Sequence, residues 1–315
     1  MNNSILGIGN AIVDIFVHID DNFLIKNNFT KGSMKLLEKE EFEDLKKKIK
    51  IEKIVAGGSV ANSMAGISYL NGNSSFIGKV NLDDFGSLYK KNLQEAKVDF
   101  LYSEKKESLS TGASIILITP DSERTMCTYL GVSSQLSFED IDENRFLNKR
   151  LIFLEGYLWD KGPSEKMFKK VISIAKKNKI ESAMSLSDVF CVNRHKDDFF
   201  NLFVNDLDVL IGNEKEIIEL TSSKNLLESI NKLKNFNKLI VITRSEKGSI
   251  AIHNQQIIDC DSVKVDKILD LTGAGDLFAA GFLKEYVDKS EIKKCLSNGS
   301  KLASIIIQKI GARLN

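Results

Sequence analysis

From Leu151 onward the chain alternates short apolar runs with amphipathic ones, and this rhythm restricts the fold more than any other feature. Leu151–Tyr157 (LIFLEGY), Glu181–Leu186, Leu207–Ile211, Leu239–Thr243 (LIVIT) and Ser249–His253 read as strands. Ser164–Lys177, His195–Phe203, Glu214–Leu220 and Leu226–Leu233 carry apolar residues at helical spacing. Strands that recur with helices between them pair in parallel, and a parallel sheet needs helices on both faces. The expected class is therefore α/β with a mostly parallel central sheet. Ligands in such sheets bind at the carboxyl ends of the strands. Asn213 and Glu216 follow one strand there, Thr243 and Arg244 another, and Asp270 lies beyond the stretch near Val265.

The first half is less regular. Ser4–Gly9 (SILGIG) reads as a buried strand containing GxG at Gly7 and Gly9. A dinucleotide fingerprint would need a third glycine where Ile12 stands, and a helix where AIVDIFVHI continues as strand. A strand that resumes after a glycine break suggests chain leaving the core sheet for a second, smaller one. Asn10 and Asp14 sit at that junction, either holding a polar ligand or ending a loop and a strand. Glu38–Lys50 is a charged helix. In Val55–Leu70 (VAGGSVANSMAGISYL), Gly57 and Gly58 precede a helix with Ser59 as its expected N-cap and Asn62 one turn in. This is either a ligand approach or a small-residue helix packed on a sheet. Gly112–Ile118 and Arg124–Leu130 form an expected hairpin. Arg124, locally a surface residue, could swing over a phosphate from there.

Ile268–Phe282 (ILDLTGAGDLFAAGF) is the most informative stretch. Gly273, Ala274 and Gly275 open a helix, and free N–H groups with the helix dipole can hold an anion there. Asp276 beside that pocket either ends a strand-to-helix turn, or accepts the proton of a hydroxyl attacking a bound phosphate. The helix terminus is expected to keep it ionised.

Composition narrows the field. The 315 residues include 44 basic and 43 acidic ones, a balance that gives no reason to expect nucleic acid as a partner. The four cysteines show no CxxC spacing, so free thiols in a reducing, cytoplasmic compartment are expected. No apolar run reaches membrane-spanning length. Neither GxxxxGK[ST], GxSxG nor HExxH occurs, and the three histidines are scattered.

DLTGAGDLFAAGF resembles the C-terminal signature of the ribokinase/PfkB family of carbohydrate kinases, and GIGNAIVDI and VAGGSVANSMAGISYL resemble that family's substrate-side motifs. The resemblance runs from Gly7 to Ala312, and GNAIVD with EGYLWD looks most like the adenosine kinase branch. It implies a single ribokinase-like domain over 1–315, with lid strands within about 12–37 and 98–131. It implies Mg-ATP as phosphoryl donor, Asp276 as base, and Gly273, Ala274 and Gly275 as anion hole. Asn10, Asp14, Gly57, Gly58 and Asn62 would hold acceptor hydroxyls, with Arg124 in the lid near the phosphate. Asn213 and Glu216 resemble the NxxE motif that organises Mg2+ and phosphate. Thr243 and Gly248 resemble the nucleotide loop, and Asn298 an adenine-side residue. Asp270 and Thr272 lie where relatives bind a monovalent cation such as K+, although Leu271 departs from the usual pattern. The acceptor implied is a nucleoside, adenosine at its 5′-hydroxyl, with Ile15, Phe16, Val17 and Leu36 as walls for the base. A ribose or fructose type of sugar is the alternative, and a non-catalytic nucleoside- or sugar-binding protein a third. A small lid can cap a monomer or pair with a second lid in a homodimer.

Overall fold

Runs that are apolar on every side become strands covered on both faces. The computed structural model describes residues 4–314 except 104, 122 and 161–163. The chain runs through β1 (Ser4–Ile8), β2 (Ile12–His18), α1 (Asp21–Lys26), β3 (Met34–Leu36), α2 (Lys39–Lys47), β4 (Lys53–Ala56) and α3 (Ser59–Tyr69). It continues through β5 (Ser74–Ile77), α4 (Asp84–Glu95), β6 (Asp99–Phe100), β7 (Gly112–Ile118) and β8 (Arg124–Tyr129). Then follow β9 (Lys149–Glu155), α5 (Ser164–Lys177), β10 (Glu181–Ser185), α6 (Val189–Asn205), β11 (Val209–Asn213), α7 (Glu214–Leu220) and α8 (Leu226–Leu233). The last elements are β12 (Leu239–Thr243), β13 (Ser249–His253), β14 (Gln256–Cys260), α9 (Ala274–Val287) and α10 (Ile292–Ile306).

Nine strands form one sheet in the order β14-β13-β12-β11-β10-β9-β1-β5-β6. It is parallel from β12 to β6, and β13 alone is reversed, pairing antiparallel with both β12 and β14. Alternate residues separate two cores. Ile5, Phe153, Val209 and Val241 pack on the side that includes Leu277 and Phe282 of α9 and Leu302 of α10. Leu6, Ile152, Leu210 and Ile240 pack on the other, with Phe168 of α5 and Phe199 of α6. The expected α/β class is thus the observed one, and its reason is this two-sided burial. The helix expected over 195–203 starts earlier, at Val189, where the Asp188 carboxylate accepts from Cys191 N at 2.6 Å, and it kinks at His195.

The second sheet has the order β3-β8-β7-β2-β4. The stretch 12–37 supplies β2 and β3, and 98–131 supplies β7 and β8. However, β6 pairs with β5 in the large sheet, while β4, outside both stretches, forms an edge of the small one. β2 is the pivot: three residues separate it from β1, so the chain passes from one sheet to the other at Gly9–Ala11. Parity along β2 sorts its side chains. Val13, Ile15 and Val17 enter the main core, while Phe16 joins Ile116, Ile118, Val55 and Met126 in a separate cluster. Ile15 and Val17 therefore cannot wall a ligand slot, contrary to the expectation for them.

Candidate active site

A cavity of about 600 Å3 opens between the small sheet and the carboxyl ends of the central strands. Its floor is made where α3 and α9 begin side by side. Gly273 caps α9 with φ +78, and a Cβ there would lie 2.8 Å from Ala312 Cα, so the turn tolerates only glycine without strain. Beyond it, a Cβ at Gly275 would meet nothing within 4 Å. The Ala274 N–H in this first turn donates to Leu271 O at 3.2 Å, and the Gly275 side of the turn faces open space. Asp276 lies in this turn. Its Oδ1 accepts from Ser59 Oγ at 2.7 Å and its Oδ2 from Asn62 Nδ2 at 2.9 Å. Ser59 is thus not the N-cap expected of it. Gly58 occupies the cap position without a side-chain bond, and the Ser59 hydroxyl is committed to Asp276.

The start of α3 receives an anion from within the chain. Glu155, at the end of β9 and 1% exposed, accepts from Val60 N at 3.0 Å and from Asn10 N and Nδ2 at 3.2 and 3.1 Å. Asn10 is held by Glu155 in consequence. Asp14 projects from β2 against Gly57, where a Cβ would lie 2.2 Å from its carboxylate oxygen. Only glycine lets backbone and carboxylate approach so closely.

Arg124 reaches from β8 across the cavity. It forms an ion pair with Asp270, donates to Thr272 Oγ1, and lies 5.5 Å from the Phe16 ring centre. Asp270, 2% exposed, also accepts from Thr272 N at 2.7 Å and Gly311 N at 2.6 Å. Asp270 and Thr272 thus already face a cation, the guanidinium. A monovalent ion could take this place only after Arg124 moves.

Asn213 and Glu216 form a capping box at the start of α7. Asn213 Oδ1 accepts from Glu216 N at 3.0 Å, and Glu216 Oε2 accepts from Asn213 N at 2.9 Å. Thr243 pairs in register with Asn213 on the neighbouring strand, and Gly248 closes the turn after β12 at φ +83. These four residues share the strand-end edge expected of a nucleotide site. Asn298 stands on α10. Its amide lies on the α9–α10 contact, 3.5 Å from Gly281 O and 3.4 Å from Glu285 Oε1.

Sequence reasoning missed Glu155, Ser59 and Arg313. Glu155 stood within the quoted EGYLWD run, and Arg313 was one of only six arginines. Neither feature alone says which turn the side chain reaches.

The pfkB family carbohydrate kinase model matches residues 31–315. The chain belongs to this family. The solved structure of an adenosine kinase from Sinorhizobium meliloti superposes with a TM-score of 0.95 at 33% identity, covering 100% of this chain and 96% of that one. Adenosine kinase 2 of Arabidopsis thaliana is 24% identical, over 98% of this chain and 94% of its own. A 5-dehydro-2-deoxygluconokinase of Clostridium botulinum is 28% identical, over 80% and 78% respectively. This PfkB protein is accordingly an ATP-dependent kinase acting on a hydroxyl group.

Electrostatics of the kinase site follow from its burial. Loss of water pushes Asp276 up to about 6, against the pull of Ser59, Asn62 and Arg313. Burial likewise pushes Asp14 and Glu155 up to about 7 each, and Glu216 to about 7 with Asp188 adding repulsion. A value of about 6 still leaves the Asp276 carboxylate mostly ionised at neutral pH. With Asp276 read as the base and Asp14 as the acceptor grip, kcat/KM is expected to fall as pH drops through the range from about 7 to about 6. A pH profile flat down to pH 5 would contradict this.

Among the described residues no helix is long and apolar enough to cross a membrane, and no cluster of three or more metal-ligating side chains occurs.

Proposed function

We propose that this kinase transfers the γ-phosphoryl group of ATP to the 5′-hydroxyl of adenosine. The observation that carries the reading is the contrast between the two walls of the cavity. The lid side presents Ile12, Met34, Leu36, Ile116, Met126 and Leu130. The floor presents Asn10, Asn62 and Asp276, and Asp14 joins them from β2 of the lid sheet. An apolar slot facing a polar grip suits a base joined to a ribose. The likeness to the Sinorhizobium meliloti adenosine kinase supports the same choice.

In this reading Asp14 accepts from two vicinal ribose hydroxyls, beside Gly57, Gly58 and Asn62. Asp276 accepts the proton of the 5′-hydroxyl as its oxygen bonds to the γ-phosphorus and the bond to the bridging oxygen of ADP breaks. The N–H groups of Gly273 and Gly275, joined by that of Ala274 once it leaves Leu271 O, stabilise the charge on the transferring group. Arg124, released from Asp270, follows the lid over it. Thr243 and Gly248 hold the nucleotide, with Asn298 on its adenine side. Mg2+, which the family uses with ATP in general, neutralises phosphate charge when bound. Asn213 and Glu216 would hold it, because they bring an amide and a carboxylate together at the carboxyl end of β11. Adenosine as acceptor makes AMP the product and places the enzyme in purine salvage in the cytoplasm.

The second reading is a sugar kinase, favoured by the relation to 5-dehydro-2-deoxygluconokinases and by Ser114 and Thr128, whose hydroxyls meet at 2.7 Å in the lid. Comparing kcat/KM for adenosine, ribose, fructose and 5-dehydro-2-deoxygluconate separates the two. Adenosine is expected to lead. A sugar ahead by about tenfold, some 1.4 kcal/mol in transition-state binding, would replace the nucleoside reading.

A further inference from the structure

Arg313 lies outside every motif that carries the family resemblance. It is brought in by the tail after α10, which folds back under the glycine turn. Leu269 N and Asp270 N both donate to Ile307 O, at 2.8 and 3.2 Å, and Gly311 N donates to Asp270. Ala312 then fills the space left by Gly273, and Arg313 points between α3 and α4.

Its guanidinium is shared among the groups of the acceptor grip. Nε donates to Asn62 Oδ1 at 2.9 Å, and a terminal nitrogen donates to Gly57 O at 3.0 Å. Tyr89 of α4 points its hydroxyl at the same Gly57 carbonyl, 3.4 Å away. The positive charge is felt by Asp14 on β2 and Asp276 on α9; Arg124 from β8 acts on Asp14 as well, and Glu155 on β9 faces the charge of Asp276. The Asn62 amide is therefore fixed in one orientation. Its oxygen is taken by Arg313, so its nitrogen must face Asp276, as observed at 2.9 Å.

We propose that Arg313 is a positioning residue for phosphoryl transfer: it locks the Asn62 amide toward Asp276, holds the Gly57 carbonyl, and serves as the counter-charge shared by Asp14 and Asp276. Arg313 itself touches none of the reacting atoms in this proposal. The part concerning Asp276 rests on the reading of that residue as base, and the part concerning Asn62 and Gly57 does not.

The test compares Arg313→Gln and Arg313→Lys with wild type, using Mg-ATP and adenosine, in both KM for the acceptor and the pH profile of kcat/KM. Arg313→Gln is expected to raise acceptor KM about tenfold or more, the loss of one charge-assisted hydrogen bond, with little change in KM for ATP. Its acid limb is expected to move to higher pH by about half a unit or more, because the carboxylates lose their counter-charge. Arg313→Lys restores the charge without the planar fork, so its acid limb returns toward wild type while acceptor KM stays raised. A merely structural role would lower thermal stability in both variants and leave the acid limb in place, and that result overturns the proposal. So does an acceptor KM within about twofold of wild type in Arg313→Gln. Asp276→Asn measured alongside keeps the two ideas apart. If that variant turns over normally the base reading falls, while the acceptor KM of Arg313→Gln still decides for or against positioning.

Discussion

Replacing Asp276 with asparagine is expected to lower kcat by at least about 10²-fold, the lower end for loss of a general base. The change removes the proton acceptor and little else. Ser59 Oγ can still donate to the remaining carbonyl oxygen, and the neutral amide costs less to bury than a carboxylate that burial has already pushed up to about 6. The N–H groups of Gly273, Ala274 and Gly275 belong to the backbone and are untouched, so ATP affinity is expected to stay near wild type. Asn62 Nδ2 now faces an amide that must turn its oxygen toward either Ser59 or Asn62, so one hydrogen bond is lost at most. Single-turnover phosphoryl transfer, isothermal titration with ATP and a thermal melt together separate lost chemistry from lost binding or folding. Turnover near wild type with ATP bound would take Asp276 out of the mechanism.

The second large effect is expected from Asp14→Ala. A carboxylate accepting from two hydroxyls contributes roughly 1.5–3 kcal/mol per charged hydrogen bond, so acceptor binding is expected to weaken by two orders of magnitude or more. ATP binding is expected to change little, because Asp14 stands on β2 against Gly57, away from the strand-end edge of Asn213 and Thr243. Stability is expected to move the other way. The folded-state value of Asp14 lies above its unfolded one, at about 7 against 3.8. Its contribution to stability is therefore full below the unfolded value and is lost as pH rises through about 7. Relative to wild type, Asp14→Ala should thus gain thermal stability between pH 4 and pH 8 as the buried charge is no longer formed. Calorimetric binding of adenosine and ATP, with melts across that range, checks both halves. A loss confined to ATP affinity would mean that the two ends of the site have been exchanged.

Much of this molecule was legible in one dimension. Periodicity is a local property, so the alternation after Leu151 already implied a parallel sheet, and the nine-stranded sheet follows from it. Glycines at turns are local as well, and the GAGD turn and the Gly57–Gly58 turn both open helices at one cleft. Even the error at Ile15 and Val17 was within reach, since alternation from Asp14 places them on the opposite face from it.

What the tertiary structure decided is which distant groups meet and how dry their surroundings are. Glu155 reaches the start of α3 across 95 residues, and Arg313 reaches Asn62 across 251. Neither partner is marked by spacing or residue type. The Arg124–Asp270 pair depends on the lid lying against the glycine turn, and it puts a guanidinium where the family resemblance places a cation. Burial then sets the chemistry. Asp14, Glu155 and Asp276 are ordinary acidic residues in the sequence, and only packing strips enough water from them to raise all three toward neutrality. Desolvation is summed over every neighbour in three dimensions, which is why no local pattern in the chain could announce it.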